Sequence, residues 1–352
     1  MKETMFTYMQ KEKTTNLHIL NHKEEILSSF QSWLSQNKKR KWTILATGSS
    51  ANAIECARYY VEHIARVSVD ICMPQLYTYY PQQHFDDQLY IAVSQSGHSS
   101  STIQVLKTLK GECFTMCADL NSPICQGNDR VIEIACGFEA VDIVTMGMSA
   151  TILTFMLMGL EAARTWNVID QDRYEKELNA LYAIVEQSDD VIKRMESWYE
   201  DHQAEFTTVP QVAVIGYGPG YGIAKEMETK VGETIYCPVN AYEMEEYMHG
   251  PYLAMHKDLR VFFIETNHPK QSKRMNALRE YMQKICSHCY TLTYKKETKE
   301  NEIFIADIDE FFAPLLYVIF VQYLSYRVSK DHGVDPMITP YDDFDDVLAS
   351  KI

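Results

Sequence analysis

The sequence predicts two α/β domains in tandem, each a parallel β-sheet flanked by helices. Two observations carry this prediction: apolar strands alternate with helical segments, and a new strand–turn–helix unit begins in the second half of the chain. Such alternation is typical of parallel sheets whose two faces are both covered by helices. The length of 352 residues exceeds one typical domain and fits two domains of ordinary size.

The amino-terminal half supplies the first set of elements. Residues 1–39 are predicted to be helical, because apolar positions recur every three or four residues through LHILNHKEEILSSFQSWL. Strand, turn and helix then follow in KWTILATGSSANAIECARYYVEHIA and again in QLYIAVSQSGHSSSTIQVLKTLK, while GECFTMCADL and RVIEIACGF add two short buried strands. We assign residues 40–165 to this first domain.

The second set of elements follows a long helical hairpin, which we predict from Thr145 to His202. Residues 166–206 are predicted to be linking helices. The second domain, residues 207–330, contains the strands VPQVAVI, LRVFFIET and CYTLTY, with QSKRMNALREYMQKIC as a helix between the last two. Residues 331–352 are predicted to be an acidic, loop-like tail.

The charge balance argues against polyanionic partners. With 33 basic and 48 acidic side chains, the formal net charge of −15 opposes binding to nucleic acid and to anionic membranes. The amino terminus is polar and has no apolar signal core. The most apolar run, FFAPLLYVIFVQYLSYRV, contains Pro314 and is bounded by acids, which indicates a buried helix rather than a membrane span. We therefore expect a cytoplasmic protein without nucleic-acid or membrane partners.

The cysteines are interpreted as structural. The nine cysteines are scattered, and most lie in apolar runs, as expected for small buried side chains in a reducing compartment. The pair closest in sequence, Cys286 and Cys289 in CSHC, lacks the second pair of ligands that a zinc site needs. No metal is therefore expected.

Two serine-rich turns suit a phosphate. SQSGHSSST and TGSSANA both lie where a strand is predicted to end and a helix to begin, so that free N–H groups, the positive helix terminus and hydroxyls collect there. Serines also cap helices in many proteins, and one such turn alone would favour capping. Two turns on successive units favour a phosphate site. GYGPGYG, at 216–222, does not fit a dinucleotide fingerprint and is interpreted as a strand-to-helix turn.

Taken together, the motifs resemble the sugar isomerase (SIS) family, and in particular the isomerase half of glucosamine-6-phosphate synthase and the fructosamine-6-phosphate deglycases. The motifs are FTYMQKE, TGSS, SQSG, IAKEMETKVGE, AYEMEEYMHGP and APLLYVIFVQYLSYRVSKDHGVDP. The resemblance implies two tandem, doubly wound SIS domains that bind a phosphosugar. The implied phosphate ligands are Ser49, Ser50, Ser94, Gln95, Ser96 and Ser99. Gly48 and Thr145 are implied to lie near the sugar.

The same resemblance assigns the chemistry to one stretch, KVGETIYCPVNAYEMEEYMHGP. It implies Glu233 as the proton-transferring carboxylate, His249 as the ring-opening residue and Lys230 as a supporting residue near the substrate. Proton transfer between sugar carbons needs a carboxylate beside the carbon acid, and ring opening suits a group that titrates near neutrality. Because the family histidine serves the neighbouring subunit's site, a homodimer with shared active sites is implied. No organic cofactor is needed, since the nitrogen of the substrate acts as the electron sink.

Simpler interpretations of these residues stay open. Taken alone, Glu233 fits a surface helix and His249 a loop hydrogen bond. The neighbouring glutamates fit a solvated helical face and are Glu243, Glu245 and Glu246.

The chain departs from the synthase in two ways, and these decide between activities. It starts at the isomerase half, so we expect it not to draw ammonia from glutamine. Where the synthase has a Schiff-base lysine near its carboxyl terminus, this chain has Tyr341 or Asp342, and the tail's lysine is Lys351. We therefore favour a deglycase that splits an amino-sugar or Amadori 6-phosphate. An aldose–ketose or amino-sugar-phosphate isomerase or deaminase, and a non-catalytic sugar-phosphate sensor, are the alternatives.

Overall fold

The computed structural model describes residues 3–80, 83–141, 143–336, 338, 340–341 and 343–351. Within them the chain forms two compact units. The amino-terminal domain holds residues 11–140, 144–183 and the described part of 338–351, and the carboxy-terminal domain holds 3–10, 141, 143 and 184–336. The domain boundaries inferred from the sequence stay predictions.

The bounds of the regular elements are as follows. The helices are Met5–Asn21 (α1), Lys23–Ile26 (α2), Ser28–Leu34 (α3), Gly48–Ala65 (α4), Pro74–Tyr79 (α5), Ser100–Leu106 (α6), Met146–Thr165 (α7), Gln171–Val185 (α8), Ser188–His202 (α9), Pro219–Ile235 (α10), Met244–Tyr247 (α11), Pro269–Met282 (α12), Pro314–Asp331 (α13) and Phe344–Leu348 (α14). The strands are Lys41–Leu45 (β1), Ser68–Cys72 (β2), Gln88–Val93 (β3), Cys113–Cys117 (β4), Val131–Glu133 (β5), Val212–Gly216 (β6), Val239–Glu243 (β7), Arg260–Ile264 (β8), His288–Thr293 (β9) and Glu302–Phe304 (β10). Short 3-10 helices occupy Pro123–Cys125, Gln203–Phe206 and Pro251–Ala254.

The described strands form two five-stranded parallel sheets, which confirms the predicted fold class. Their strand orders are β2-β1-β3-β4-β5 and β10-β9-β8-β6-β7. In each sheet the other strands lie on both sides of a central pair. This pair is β1 with β3 in the first sheet and β6 with β8 in the second. At such a switch point the connections leave in opposite directions, and the crevice outside the carboxyl ends of the strands is where ligands bind. Leu45 pairs with Ala92, so the turns after β1 and β3 leave the first sheet at the same edge.

Buried helices and aromatic side chains form the cores. In the amino-terminal domain Trp42 packs against Phe30 at 5.8 Å and against Phe155 at 6.0 Å between ring centroids. Helix α7 is long and apolar enough to cross a membrane by length and composition alone, but it is 100% buried in the protein, as a core helix would be. In the carboxy-terminal domain α13 is also largely buried. The prediction that the run FFAPLLYVIFVQYLSYRV forms a buried helix is confirmed.

The structure differs from the sequence-based expectations at several elements. The predicted helical hairpin is wrong, because the chain forms three helices there, α7, α8 and α9. Helix α7 ends just before Asn167, whose φ of +54° is left-handed and cannot continue a helix. Strands β2, β7 and β10 were not expected; they are edge strands, partly exposed or only three residues long, and therefore lack a strong apolar run.

The acidic tail is not entirely loop. It contains α14, and its end contacts the turn after β3: the Ser100 N–H donates to the Ser350 carbonyl at 3.2 Å, and Ser99 and Lys351 form an antiparallel bridge. Of the two tail positions that correspond to the family lysine, Tyr341 is exposed, and Asp342 lies outside the described residues.

Candidate active site

The turn after β1 leads directly into the first turn of α4. Thr47 precedes α4 with an extended backbone, and its side chain makes no capping hydrogen bond. Gly48 has a φ of +55°, and an added Cβ there would meet no atom within 4 Å, so the space above the turn is open. Ser49 and Ser50 are partly exposed in the first turn of this 18-residue helix. An anion could reach this helix start, and the phosphate site inferred from the sequence stays a prediction.

The turn after β3 is held by its own hydrogen bonds. Ser94 is buried at the end of the strand, and its Oγ lies 3.4 Å from the Ser99 nitrogen, which donates to it. The Thr102 hydroxyl donates to Ser99 Oγ at 3.0 Å. Ser96 is exposed, and Nδ1 of the His98 ring is hydrogen-bonded to the Ser96 carbonyl at 2.7 Å. The turn is therefore ordered with one exposed hydroxyl at its tip.

A buried carboxylate behind this turn was missed by sequence reasoning. Glu139 accepts N–H bonds from Thr145 at 3.1 Å, Met146 at 3.0 Å and Gly147 at 2.7 Å, and thereby caps α7. Thr145 itself is fully buried. A Cβ on Gly147 would lie 2.7 Å from Gln95 Nε2, so Gln95 packs directly on this helix start. Helix α6 and strands β4 and β5 separate Glu139 from the serine turn in sequence, and no local pattern links them.

Helix α10 carries Lys230 and Glu233, the two charged candidate residues of the carboxy-terminal domain. It starts at Pro219 after Gly218, whose φ is +50°, so GYGPGYG is the strand-to-helix turn that was predicted. The face buried against the domain includes Ile223, Met227 and Val231, and Lys230 lies on the same face. A lysine on a buried face must be paired, because an isolated buried charge is costly.

Two glutamates provide that pairing. Lys230 Nζ lies 2.9 Å from Glu233 Oε2 and 3.5 Å from Glu226 Oε1. The side chains of Lys230 and Glu226 are 2% and 0% exposed, whereas that of Glu233 is 45% exposed. Burial lowers the pKa of Lys230, but the carboxylates of Glu226 and Glu233 outweigh it and raise that pKa above the ordinary value. Lys230 is thus a charged residue that fixes one accessible carboxylate, Glu233.

His249 follows α11 and is exposed. Its N–H donates to the Glu246 carbonyl at 3.0 Å, which closes the turn. The neighbouring glutamates are not one solvated helical face: Glu243 ends β7 and accepts from the N–H groups of Glu245 and Glu246 as a helix cap. Glu245 accepts from Arg274 Nε at 2.6 Å, and this hydrogen bond lowers the pKa of its carboxyl. Glu243 and Glu245 are partly exposed, and Glu246 is exposed.

The fold and these features define a class: a protein of two α/β domains, with serine turns at the switch point of one sheet and a lysine–glutamate cluster in the other domain. Residues 205–304 match the SIS domain family. The resemblance to the SIS family is thereby confirmed, and this part of the chain is a SIS domain.

Curated relatives resemble this chain over most of its length. The chain is 28% identical over 305 residues to glutamine–fructose-6-phosphate aminotransferase (isomerizing) of Gluconobacter oxydans. This match covers 83% of this chain and 49% of that protein. It is 23% identical over 344 residues to the enzyme of the same name from Clostridium perfringens, covering 95% and 55%. The chain therefore spans about half the length of the curated relatives it matches.

Solved structures share the fold. A candidate phosphosugar isomerase from Clostridium difficile has a TM-score of 0.91 at 22% identity, covering 99% of this chain and 98% of that chain. The C-terminal domain of glucosamine-fructose-6-phosphate aminotransferase from Francisella tularensis has a TM-score of 0.85 at 21% identity, covering 95% and 98%. At these identities the likeness establishes the fold alone.

Proposed function

We propose that the protein processes a phosphorylated sugar, and specifically that it is a deglycase that cleaves a fructosamine 6-phosphate into a hexose 6-phosphate and an amine. The observation that carries the proposal is the α10 cluster, in which a charged, buried Lys230 fixes the half-exposed carboxylate of Glu233. The serine turns after β1 and β3 support a phosphate site, with Ser49, Ser50, Ser94, Gln95, Ser96 and Ser99 as its residues.

In this proposal Glu233 moves the proton. Its carboxylate takes a proton from C1 of the open-chain substrate and returns it to carbon C2, while the nitrogen on C1 loses its proton and the oxygen on C2 gains one. The C2 carbonyl and C1 amine thereby become a C2 hydroxyl and a C1 imine. Water then adds to C1, the C1–N bond breaks, and the amine leaves with a proton. One substrate and one water give one hexose phosphate and one amine, so neither a cofactor nor a metal is required.

The charge state of Lys230 favours this route over covalent capture of a ketose. An amine must be neutral to attack a carbonyl, and the two carboxylates raise the pKa of Lys230. Near the position of the family's Schiff-base lysine, the resemblance places Tyr341 or Asp342 rather than a lysine. A substrate that already carries its nitrogen does not need such a lysine.

His249 is proposed to open the sugar ring as a general acid and base. Its exposed position suits the implied homodimer, in which it would serve the active site of a second copy. We also propose a cytoplasmic location, where sugar phosphates are metabolised.

The proposed reaction is tested by product analysis on a set of sugar phosphates. The full chain is incubated with 6-phosphorylated fructosyl-amino acids, glucosamine 6-phosphate and fructose 6-phosphate, and released amine, ammonia and hexose 6-phosphate are measured. We expect equal amounts of amine and hexose 6-phosphate from the fructosyl-amino acids. Ammonia from glucosamine 6-phosphate alone would indicate a deaminase instead, and binding without turnover of any substrate would indicate a sensor.

Shared active sites predict complementation between two inactive variants. Glu233→Gln and His249→Ala are each expected to be inactive as homodimers. After mixing and subunit exchange, half of the dimers are mixed, and each mixed dimer has one intact site. About one quarter of wild-type activity should therefore return. No recovery, despite subunit exchange confirmed by native mass spectrometry, would place both residues in the same subunit's site.

A further inference from the structure

We propose that Cys117 and Cys125 are a modification site, at which a peroxide forms a reversible disulfide that weakens phosphate binding by the turn after β3. The evidence for the disulfide is the geometry of the two thiols. Its effect on phosphate rests on the proposed function. The sequence does not reveal this pair, because eight positions separate the two cysteines and neither belongs to a familiar motif.

The two sulfur atoms are already in contact. Cys117 ends β4, Cys125 ends the 3-10 helix that follows, and their Sγ atoms lie 3.1 Å apart. Both thiols are also within donor range of the Asp119 carbonyl, at 3.4 Å and 3.8 Å. A disulfide bond of ~2.05 Å needs the sulfurs to approach by about 1 Å more. The short segment between the two residues would have to shift for the sulfurs to come this close.

The difference in exposure gives each cysteine a separate role. Cys125 is partly exposed, whereas Cys117 is buried. Burial also raises the pKa of Cys117 to about 12, which keeps it as an unreactive thiol until a partner sulfur is activated. Cys125 is therefore the site of attack and Cys117 the resolving thiol.

The chemistry balances with hydrogen peroxide as the two-electron oxidant. Cys125 attacks one peroxide oxygen, the O–O bond breaks, and a sulfenic acid and one water form. Cys117 then attacks the sulfenic sulfur, loses its proton, and displaces the oxygen as a second water. Two thiols and one peroxide thus give one disulfide and two waters. A dithiol reductant reverses the step by thiol–disulfide exchange.

The segment between the cysteines supports the serine turn. The Ile124 N–H donates to the Gly97 carbonyl at 3.1 Å, and the Ala118 N–H donates to the Gln95 carbonyl at 2.8 Å. Gly97 has a φ of +75°, and a Cβ on it would lie 2.0 Å from Ser122 Oγ. The turn therefore packs without a gap against the segment that closes the disulfide, so a shift of Cys125 is transmitted to Gln95–Gly97.

Another cysteine pair serves as the control. Cys286 and Cys289 are both buried, and the Cys289 thiol donates to the Cys286 carbonyl at 3.8 Å. These residues lie in the carboxy-terminal domain, Cys286 just before β9 and Cys289 within it. Neither is open to an oxidant in the folded protein.

The test uses the full chain, oxidised with hydrogen peroxide and then alkylated. Peptide mass spectrometry should find a Cys117–Cys125 link in the wild type and in Cys286→Ser, and none in Cys125→Ser. Calorimetric titration with glucose 6-phosphate should show affinity lower by at least about fivefold after oxidation, restored by dithiothreitol. Cys125→Ser, which removes only the partly exposed thiol, should bind equally well before and after peroxide.

The outcomes separate the two parts of the proposal. Absence of the Cys117–Cys125 link in folded wild-type protein overturns the modification site. A link with unchanged affinity overturns the coupling to the turn. If the reduced protein binds neither glucose 6-phosphate nor inorganic phosphate, the proposed phosphate site is wrong, and the coupling is overturned with it while the modification site stands.

Discussion

Glu233→Gln is expected to lower turnover of a fructosamine 6-phosphate by about 10²- to 10⁴-fold, the range in which a general base contributes. The amide keeps the size of the side chain and accepts a hydrogen bond from Lys230, but it cannot take a proton from carbon. Because Glu233 is 45% exposed, the exchange should leave the fold intact. The rate of amine release and the affinity for glucose 6-phosphate are the two measurements.

A matched control separates proton transfer by Glu233 from a general effect of removing one negative charge. Glu280 is an exposed glutamate of α12, and Glu280→Gln should keep wild-type activity. Glucose 6-phosphate should bind to Glu233→Gln with an affinity close to that of the wild type. Wild-type-like turnover in Glu233→Gln would remove this residue from the mechanism, whereas loss of binding together with turnover would assign it to substrate binding.

Lys230→Met is expected to lower the free energy of unfolding by about 3–5 kcal/mol, the usual effect of removing one partner from a buried ion pair. The variant leaves the buried Glu226 without the ammonium that lies 3.5 Å away in the native protein. A carboxylate with no exposed surface must then either stay charged without this counter-ion or become protonated, and both cost free energy. Urea denaturation measures the loss.

Two further variants identify the cause. Lys193 and Asp190 form an exposed pair at 3.8 Å, with Lys193 74% exposed, and Lys193→Met should cost no more than about 1 kcal/mol. The double variant Glu226→Gln with Lys230→Met removes both buried charges and should recover much of the lost stability. If the single variant is as stable as the wild type, Lys230 and Glu226 do not form a stabilising pair.

Local patterns in the sequence were sufficient for most of the fold. The central strands β1, β3, β6 and β8 are apolar and lie next to turns and amphipathic helices, so each could be recognised alone. The edge strands β2, β7 and β10 could not be recognised, because a half-exposed strand such as β7 has no continuous apolar run. The break at Asn167 that divides the expected hairpin depends on one left-handed residue, which composition does not signal.

The candidate site was predictable only where its residues belong to motifs. The serine turns and the α10 residues stand in recognisable segments, and their roles stay predictions until tested. The Glu139 cap of α7 and the Cys117–Cys125 contact arise from tertiary packing. A lysine is normally exposed, and only its place on the inner face of α10 shows that Lys230 is buried.

The burial of Lys230 also makes it a natural reporter of unfolding. Amine-acylating reagents modify neutral, accessible amines, and in the native protein this one is both enclosed and held in its ammonium form. The exposed lysines should be acylated quickly, while Lys230 should be acylated only when α10 detaches or the domain unfolds. Mass-spectrometric footprinting at this single position therefore records how often the helix that carries Glu233 opens.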